Sequence, residues 1–230
     1  MKLKKTVELI ITEDTNDYTL AVLRGFIGAM GKIPIEMPEE EGFVLNRIFL
    51  DFQALAVRLY RDGAADMKAI DNIIKKSIFS HGVFEFFDNV GIDVMYQSVI
   101  NYTGTMENRD FYEPFIDFLG GLLAGNRIGR KSGCGCYDYP VDGEPGQLPD
   151  NQIQDELTGV LRALYVNSVF KMLEKNIWSG DDLECAVKEY MDLAQGPIEL
   201  ARVMGHGAVR AILEHHYNKT GFDAYRPSSL

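Results

Sequence analysis

The sequence contains few cysteines, and this scarcity sets the first limit on what the protein is. Only Cys134, Cys136 and Cys185 occur among 230 residues. An odd and sparse set does not build a disulfide framework, so we expect reduced thiols and a cytoplasmic protein. Cys134 and Cys136 form a C-x-C pair, but no neighbouring Cys or His pair completes four ligands, so the sequence predicts no metal site. A metal-binding protein using this pair remains the weakest of three hypotheses.

The sequence also lacks an excess of basic residues and any long apolar run. Acidic residues outnumber basic ones by 34 to 23, which gives a formal net charge of −11. Nucleic-acid binding needs a basic face for the phosphates, so we expect no nucleic-acid partner. No apolar run approaches the roughly 20 residues that cross a bilayer, and we expect no membrane partner. Glu8 interrupts the short apolar stretch at 6–12, which therefore does not resemble a signal peptide.

The residues that are present describe a globular chain with a small α/β unit at its start. Apolar residues make up 46% of the sequence and charged residues 25%, as in ordinary globular proteins. A strand at 6–12, a helix behind a cap at Asn16 or Asp17, and an extended stretch at 32–38 form a β-α-β unit. Two strands are too few for a stable sheet, so we expect either that part of the unit is missing or that it packs on another chain.

From Phe43 onward the periodicity becomes helical and then repeats. Five helices are predicted before the closing turn "GRKSGCGCYDYP", which is followed by a Pro/Gly-rich linker. The helical pattern then restarts, and Gly196 begins a segment that matches the one at Gly82, 114 residues earlier. We therefore predict a mostly α protein with two related helical repeats. Its predicted parts are a β-α-β remnant (1–38), a first helical domain (39–140), a linker (141–152) and a shortened second repeat (153–230).

Three segments carry motifs with fixed spacing, namely "GKIPIEMPEEEGFVLNRIF", "SHGVFEFFDNVGID" and "GRKSGCGCYDY". They resemble the 3-hydroxyacyl-CoA dehydrogenase family, in which the corresponding segments read G-K-x-P-V-x-V-x-D-x-P-G-F-x-x-N-R, P-x-G-P-F-E-L-x-D-x-x-G-x-D and G-R-K-[TS]-G-x-G-F-Y-x-Y. The first segment matches without a gap at Gly31, Lys32, Pro34, Gly42, Phe43, Asn46 and Arg47. The departures include Glu39 for the aspartate, Val83 for a proline and Cys136 for the phenylalanine.

The resemblance implies a fold and a partner. The doubled helical block resembles the tandem C-terminal domains of multifunctional β-oxidation enzymes, which are similar to the C-terminal domain of 6-phosphogluconate dehydrogenase. In this family NAD binds to an N-terminal Rossmann domain through G-x-G-x-x-G, a motif that these 230 residues lack. We therefore expect no cofactor in this chain alone, and NAD only if a Rossmann domain partners it. Residues 1–38 resemble the last strand-helix-strand of that domain.

The resemblance also implies two catalytic residues. The family's glutamate, which orients a catalytic histidine, falls on Glu8 within Val7-Glu8-Leu9-Ile10, whereas the histidine would precede residue 1. The family's asparagine, which faces the substrate and the nicotinamide, falls on Asn46. Without the histidine, Glu8 is alternatively an ordinary carboxylate on a strand edge. Asn46 is alternatively a buried polar residue that ties the preceding segment to the helix start.

Two main hypotheses follow. The first is a 3-hydroxyacyl-CoA dehydrogenase-related protein that supplies the acyl-CoA-side helical domains and a dimer interface, as a homodimer or with a separate Rossmann-domain chain. The second is a non-catalytic oligomerisation or acyl-CoA-binding module. Two aromatic stripes are expected in the core and the subunit interface, with an acyl tunnel as the alternative. These stripes are Phe84, Phe86 and Phe87, and Phe111, Phe115 and Phe118.

Overall fold

The computed structural model of the chain describes residues 6–38, 44–141, 146, 148–175, 179–191 and 193–229. These ranges form ten α-helices and one parallel sheet of two strands. The predicted mostly α fold with a small β-α-β unit is confirmed. None of the helices within the described ranges is both long and apolar enough to cross a bilayer.

The N-terminal unit is a β-α-β crossover. Strands β1 (Thr6–Ile11) and β2 (Ile33–Pro38) pair in parallel along their full length, and helix α1 (Asp17–Ala29) connects them. Of the two predicted caps, Asn16 begins the helix, because its side-chain oxygen accepts a hydrogen bond at 2.9 Å from the backbone N–H of Thr19. This unit places β1 beside the start of the first helical repeat.

The two helical repeats follow the predicted order. The helices of the first repeat are α2 (Val44–Arg61), α3 (Met67–Ser77), α4 (Val83–Val90), α5 (Ile92–Thr103) and α6 (Glu113–Ala124). Those of the second repeat are α7 (Asn151–Leu173), α8 (Gly180–Met191), α9 (Pro197–Met204) and α10 (His206–Thr220). The predicted helix start at Phe43 lies outside the described residues.

The linker ends earlier than the sequence predicted. Residues 142–145 and 147 lie outside the described ranges, and the other residues up to Asp150 are irregular. The Asp150 carboxylate accepts a hydrogen bond from the backbone N–H of Ile153 at 3.0 Å. This cap begins α7 at Asn151, so the last two residues of the predicted linker are helical.

The same capping device appears in both repeats. The Asp71 carboxylate of α3 accepts hydrogen bonds from the first-turn N–H groups of Phe84 and Glu85 in α4, both at 3.0 Å. The Glu184 carboxylate of α8 accepts at 2.7 Å from the N–H of Ile198 in α9 and at 3.3 Å from that of the next residue. Each carboxylate supplies acceptors that a helix start lacks, and it also interacts favourably with the helix dipole.

Glycine makes room for this device at equivalent positions. A Cβ atom built on Gly82 would overlap the Asp71 carboxylate, and one built on Gly196 would overlap that of Glu184. The two glycines are 114 residues apart, whereas the two carboxylates are 113 apart. The predicted repeat therefore has a physical basis, with a one-residue shift between α3 and α8.

One core joins the two repeats. Phe49 and Phe52 of α2 lie against Tyr165 of α7, with ring centroids 5.7 and 6.3 Å apart. Phe79, which follows α3, has its ring 5.1 Å from that of Tyr165. All four rings are at most 5% exposed. Because large apolar side chains from both repeats are removed from water together, the repeats stabilise each other.

The segment "GRKSGCGCYDY" closes the first repeat around a buried carboxylate. Asp88 of α4 is 1% exposed. It accepts hydrogen bonds from the backbone N–H groups of Cys136 at 2.7 Å and Tyr137 at 2.9 Å. The hydroxyl of Tyr139 donates a third, at 2.8 Å. These bonds offset the cost of burying the carboxylate, so the segment serves the packing of α4.

A pH-dependent loss of stability is expected from the neighbouring carboxylate of Asp71. Burial raises its pKa from 3.8 to about 6, so the folded state holds this proton more tightly than the unfolded state. The contribution of Asp71 to stability is therefore largest below the unfolded pKa. It falls by about 3 kcal/mol as the pH rises through about 6.

The variants Asp71→Asn and Asp93→Asn test this expectation. Urea unfolding between about pH 4 and about pH 7 should show that Asp71→Asn is less stable throughout, with a penalty that shrinks as the pH rises. Asp93 pairs with Lys131 at 2.7 Å, which lowers the pKa of Asp93. The penalty of Asp93→Asn should therefore shrink in the opposite direction, as the pH falls. A pH-independent penalty for Asp71→Asn contradicts the expectation.

Candidate functional site

Asn46 lies in the first turn of α2 and is held by two tyrosines. The Tyr190 hydroxyl of α8 donates a hydrogen bond to Asn46 Oδ1 at 2.7 Å. Asn46 Nδ2 donates to the hydroxyl oxygen of Tyr102 in α5 at 3.4 Å. The amide has two N–H groups, and only one is used in this pair of bonds. Asn46 is thus fixed by helices from both repeats.

Glu8 of β1 lies beside the same end of α2. Its Oε1 accepts a hydrogen bond from the backbone N–H of Leu45 at 3.0 Å. Its Oε2 is buried and has no hydrogen-bond partner among the described residues. Burial raises the pKa of Glu8, and the bond from Leu45 offsets this only in part. Both residues proposed from the sequence therefore lie at the N-terminus of α2, where Glu8 binds the backbone of Leu45 and Asn46 is the next residue.

A cavity of about 410 Å³ begins at Asn46 and runs along α2. Asn46 and Gln53 both line it, so it extends over two helical turns, about 10 Å. Tyr102 and Tyr190 line it as well. Its apolar wall includes Phe49, Phe52, Phe79, Phe86, Met95 and Val99, and its other polar residues include His81, Asn89 and Ser98. A concave, mainly apolar site with a few polar groups in its wall, among them the cluster around Asn46, suits an elongated ligand that carries polar groups.

The aromatic stripes divide between core and cavity. Phe84 and Phe87 are fully buried, as are Phe111 and Phe115 in the second stripe. Phe86 is half-buried and lines the cavity. The expectation of a core role is therefore met by most of these rings, whereas Phe86 faces the space that an acyl chain would need.

A second cavity, of about 470 Å³, lies beside α2 where the two repeats meet. In its wall Asp51 accepts hydrogen bonds from the hydroxyl groups of Tyr112 and, at 2.9 Å, Ser168. Lys171 donates to the backbone carbonyl of Asp223 at 2.8 Å, and burial lowers its pKa. These bonds join α2 to α7, and α7 to the segment that follows α10. The polar residues of this cavity therefore serve packing.

The two neighbouring cysteines lie away from both cavities. Cys136 is buried, and burial together with the nearby Asp88 raises the pKa of its thiol. A thiol that resists ionisation is a poor metal ligand and a poor nucleophile. In the described part of the chain, no three His, Cys, Asp or Glu side chains are grouped closely enough to hold a metal ion.

Sequence reasoning missed both tyrosines that hold Asn46. Tyr102 lies near the end of a predicted helix with no motif around it. Tyr190 belongs to the second repeat, and the one-residue shift makes Ser77 its counterpart in the first, 113 residues earlier. The internal repeat therefore gave no signal for a tyrosine at this position.

Comparisons with known proteins agree with this geometry. A model of the 3-hydroxyacyl-CoA dehydrogenase C-terminal domain matches residues 42–139 and residues 160–230. The mitochondrial hydroxyacyl-coenzyme A dehydrogenase of Sus scrofa is 33% identical over 139 residues, which are 60% of this chain and 44% of the relative. A probable 3-hydroxyacyl-CoA dehydrogenase of Caenorhabditis elegans is 32% identical over 138 residues, covering 59% of this chain and 45% of the relative. The chain thus spans less than half the length of these relatives.

Solved structures extend the likeness of fold to the whole chain. The 3-hydroxybutyryl-CoA dehydrogenase of Escherichia coli superposes with a TM-score of 0.84 at 19% identity, over 99% of this chain and 66% of that one. At this identity the likeness concerns the fold alone. The (S)-3-hydroxybutyryl-CoA dehydrogenase of Ralstonia eutropha is 28% identical, with a TM-score of 0.55 over 60% of this chain and 48% of that one. With two matches to one family model, the chain belongs to the family of the 3-hydroxyacyl-CoA dehydrogenase C-terminal domain.

Proposed function

We propose that the chain supplies the acyl-CoA-side helical domains of an NAD-dependent 3-hydroxyacyl-CoA dehydrogenase of fatty acyl-CoA β-oxidation. A Rossmann-type domain not contained in these 230 residues would complete the site. The observation that carries this proposal is the buried Oε2 of Glu8, which has no partner among the described residues and lies at the helix end that carries Asn46.

Glu8 is the group that requires a partner. An unpaired buried carboxylate oxygen costs free energy that a hydrogen-bond donor would recover. The N–H group of a histidine ring is a suitable donor, because a carboxylate that accepts it fixes the tautomer and the orientation of the imidazole. The second ring nitrogen of that histidine is then free to take the proton of a substrate hydroxyl group. Glu8 would be a positioning residue in this arrangement.

Asn46 is the group that would meet the substrate. Because its oxygen accepts from Tyr190, its nitrogen is left as the donor at the start of the cavity. An N–H group placed there would stabilise the negative charge that develops on the 3-oxygen as its proton leaves, before loss of the hydride from C3 completes the carbonyl. Bound NAD would supply the chemistry of accepting a hydride, and its binding residues would belong to the Rossmann domain. The acyl chain would occupy the apolar cavity along α2.

The surface of α1 supports docking of a Rossmann-type domain. Ile27 is buried against the sheet, whereas Tyr18, Val22, Phe26 and Met30 are between 48% and 79% exposed. These four residues recur every fourth position and are rotated about 100° from the sheet-facing side. They therefore point sideways within the helix layer that covers the sheet. A neighbouring helix would pack there if the sheet had further strands. Among the described residues, each of the two strands pairs on one side only, and such sheet edges favour the same partner.

A homodimer and a non-catalytic role remain the alternative proposal. A second copy of the chain could cover the exposed apolar residues of α1. The chain would then act as an acyl-CoA-binding module through its cavity alone. We also propose a cytoplasmic location, which reduced thiols favour, since all three cysteines are free.

Reconstitution tests the proposed function. The chain is mixed with a Rossmann-type NAD-binding domain carrying a G-x-G-x-x-G motif and the catalytic histidine, and NADH formation from 3-hydroxybutyryl-CoA is followed. NADH should form only when both parts are present, and Asn46→Ala should reduce the rate by about 10²–10³-fold. Light scattering of the chain alone reports whether it is a dimer. Binding of acyl-CoA without activity in any mixture would favour the non-catalytic module.

A further inference from the structure

We propose that Tyr190, a residue of the second helical repeat, is a positioning residue that fixes the Asn46 amide so that its N–H group faces the acyl cavity. This proposal rests on the proposed function, because it concerns the contact that Asn46 would make with the substrate oxygen. It assigns the second repeat a direct part in the site, beyond packing against the first.

The hydrogen-bond direction carries the first step. A tyrosine hydroxyl that donates to an amide oxygen distinguishes the two ends of an asparagine, which otherwise have nearly the same shape. Tyr190 donates to Asn46 Oδ1 at 2.7 Å, and Tyr102 accepts from Nδ2 at 3.4 Å. The shorter bond sets the orientation of the amide, and the longer one is compatible with it.

The environment of Tyr190 keeps its hydroxyl a donor. Burial, Glu8 and Tyr102 together raise the pKa of Tyr190 to about 12, so the hydroxyl stays protonated at neutral pH. The ring of Tyr190 lies nearly parallel to that of Phe49, with centroids 6.3 Å apart and an angle of 23°. The ring is therefore held by packing, and its hydroxyl has little freedom to leave Asn46.

The hydrogen bond between Tyr190 and Asn46 has no counterpart at the equivalent positions of the two repeats. The residue equivalent to Asn46 in the second repeat is Val160, 114 positions later, which has no polar side chain to fix. The residue equivalent to Tyr190 in the first repeat is Ser77, whose hydroxyl donates to the backbone carbonyl of Ile73 at 2.6 Å. The two repeats therefore build one such site, located in the first repeat and completed by the second.

The test compares two ligands on the intact chain and on its Tyr190→Phe variant. Phenylalanine keeps the ring against Phe49 and removes only the hydroxyl. Calorimetric titration with acetoacetyl-CoA, which carries the 3-oxygen, should show an affinity about tenfold weaker in the variant. Titration with butyryl-CoA, which lacks that oxygen, should show no change. Tyr102→Phe is the matched control and should weaken acetoacetyl-CoA binding less, because its bond to Asn46 is longer.

A spectroscopic readout separates this proposal from the proposed function. The side-chain amide signals of Asn46 are identified in the nuclear magnetic resonance spectrum by their loss in Asn46→Ala. They should shift and broaden in Tyr190→Phe, whether or not any acyl-CoA binds. Failure of the wild-type chain to bind either ligand would overturn the proposed function alone.

Two outcomes would overturn the role of Tyr190. The first is an unchanged Asn46 amide signal in Tyr190→Phe, and the second is equal weakening of both ligands. Should Tyr190→Phe not fold, Tyr190→Met removes the hydroxyl while a flexible apolar side chain fills the space against Phe49, and the same two outcomes apply.

Discussion

The substitution Gly135→Ala is expected to destabilise the chain by about 3 kcal/mol, combining overpacking with lost hydrogen bonds. A Cβ atom at this position would overlap the Asp88 carboxylate and would lie 2.6 Å from the Cα atom of Gly129. Asp88 could escape the overlap only by moving, and it would then give up the N–H groups of Cys136 and Tyr137. The buried carboxylate and two backbone donors would lose their partners together.

Gly133→Ala is the matched control in the same segment. No heavy atom lies within 4 Å of the Cβ position at Gly133, but its φ of +78° is one that alanine adopts at a cost. This strain costs about 1–2 kcal/mol. Urea unfolding of both variants separates backbone strain from close approach, and Gly135→Ala should be the less stable. Equal stabilities would show that Asp88 can move aside at little cost.

The closing turn of the first repeat illustrates what the sequence predicts well. The motif "GRKSGCGCYDY" indicates a tight turn that closes a repeat, because its glycines stand where backbone must come close. The spacing of Gly82 and Gly196 likewise predicts the repeat, and both glycines make room for a carboxylate. A motif or a repeat is visible in the sequence itself, so it can be predicted without knowledge of the fold, whereas the carboxylates that these glycines accommodate are seen only in the structure.

The candidate site is only half predictable, for a physical reason. Glu8 and Asn46 follow from a family resemblance, and the structure places both at the N-terminus of α2, whereas their catalytic roles stay a prediction. Tyr190 is 144 residues from Asn46, and no local pattern connects them. That Glu8 Oε2 has no hydrogen-bond partner among the described residues is equally invisible in the sequence, because it depends on burial by elements far apart in the chain. Long-range contacts that serve one side chain leave no periodic trace in a sequence.

Glu8→Gln is expected to have opposite effects on stability and on activity. In the reconstituted enzyme it should lower kcat by about 10²–10³-fold, because a neutral amide orients a histidine without stabilising its charged form. In the chain alone it should raise stability at neutral pH. Burial raises the pKa of Glu8, so wild-type stability falls as the pH rises through the unfolded and then the folded pKa, and glutamine removes that loss.

Glu36→Gln on the neighbouring strand is the control for the stability effect. Glu36 pairs with Arg24, which lowers the pKa of Glu36. Its contribution is therefore present above its ordinary pKa and lost as the pH falls, so Glu36→Gln should lower stability at neutral pH. Urea unfolding at about pH 4 and about pH 7 gives the stability of each variant relative to wild type. From about pH 4 to about pH 7 this difference should rise for Glu8→Gln and fall for Glu36→Gln.

If Glu8→Gln is more stable than wild type, Glu8 is retained for a reason other than folding. A buried carboxylate oxygen without a partner opposes folding of the chain on its own, and groups of this kind are concentrated at functional sites. In the chain alone, glutamine at this position is expected to be favourable. Docking of a Rossmann-type domain that supplies a histidine N–H should make glutamate the favourable residue, so that wild type binds this domain more tightly than Glu8→Gln does. Titration of the domain into both chains measures this difference. Equal binding would leave Glu8 an ordinary carboxylate of β1 and would remove the main support for a catalytic role.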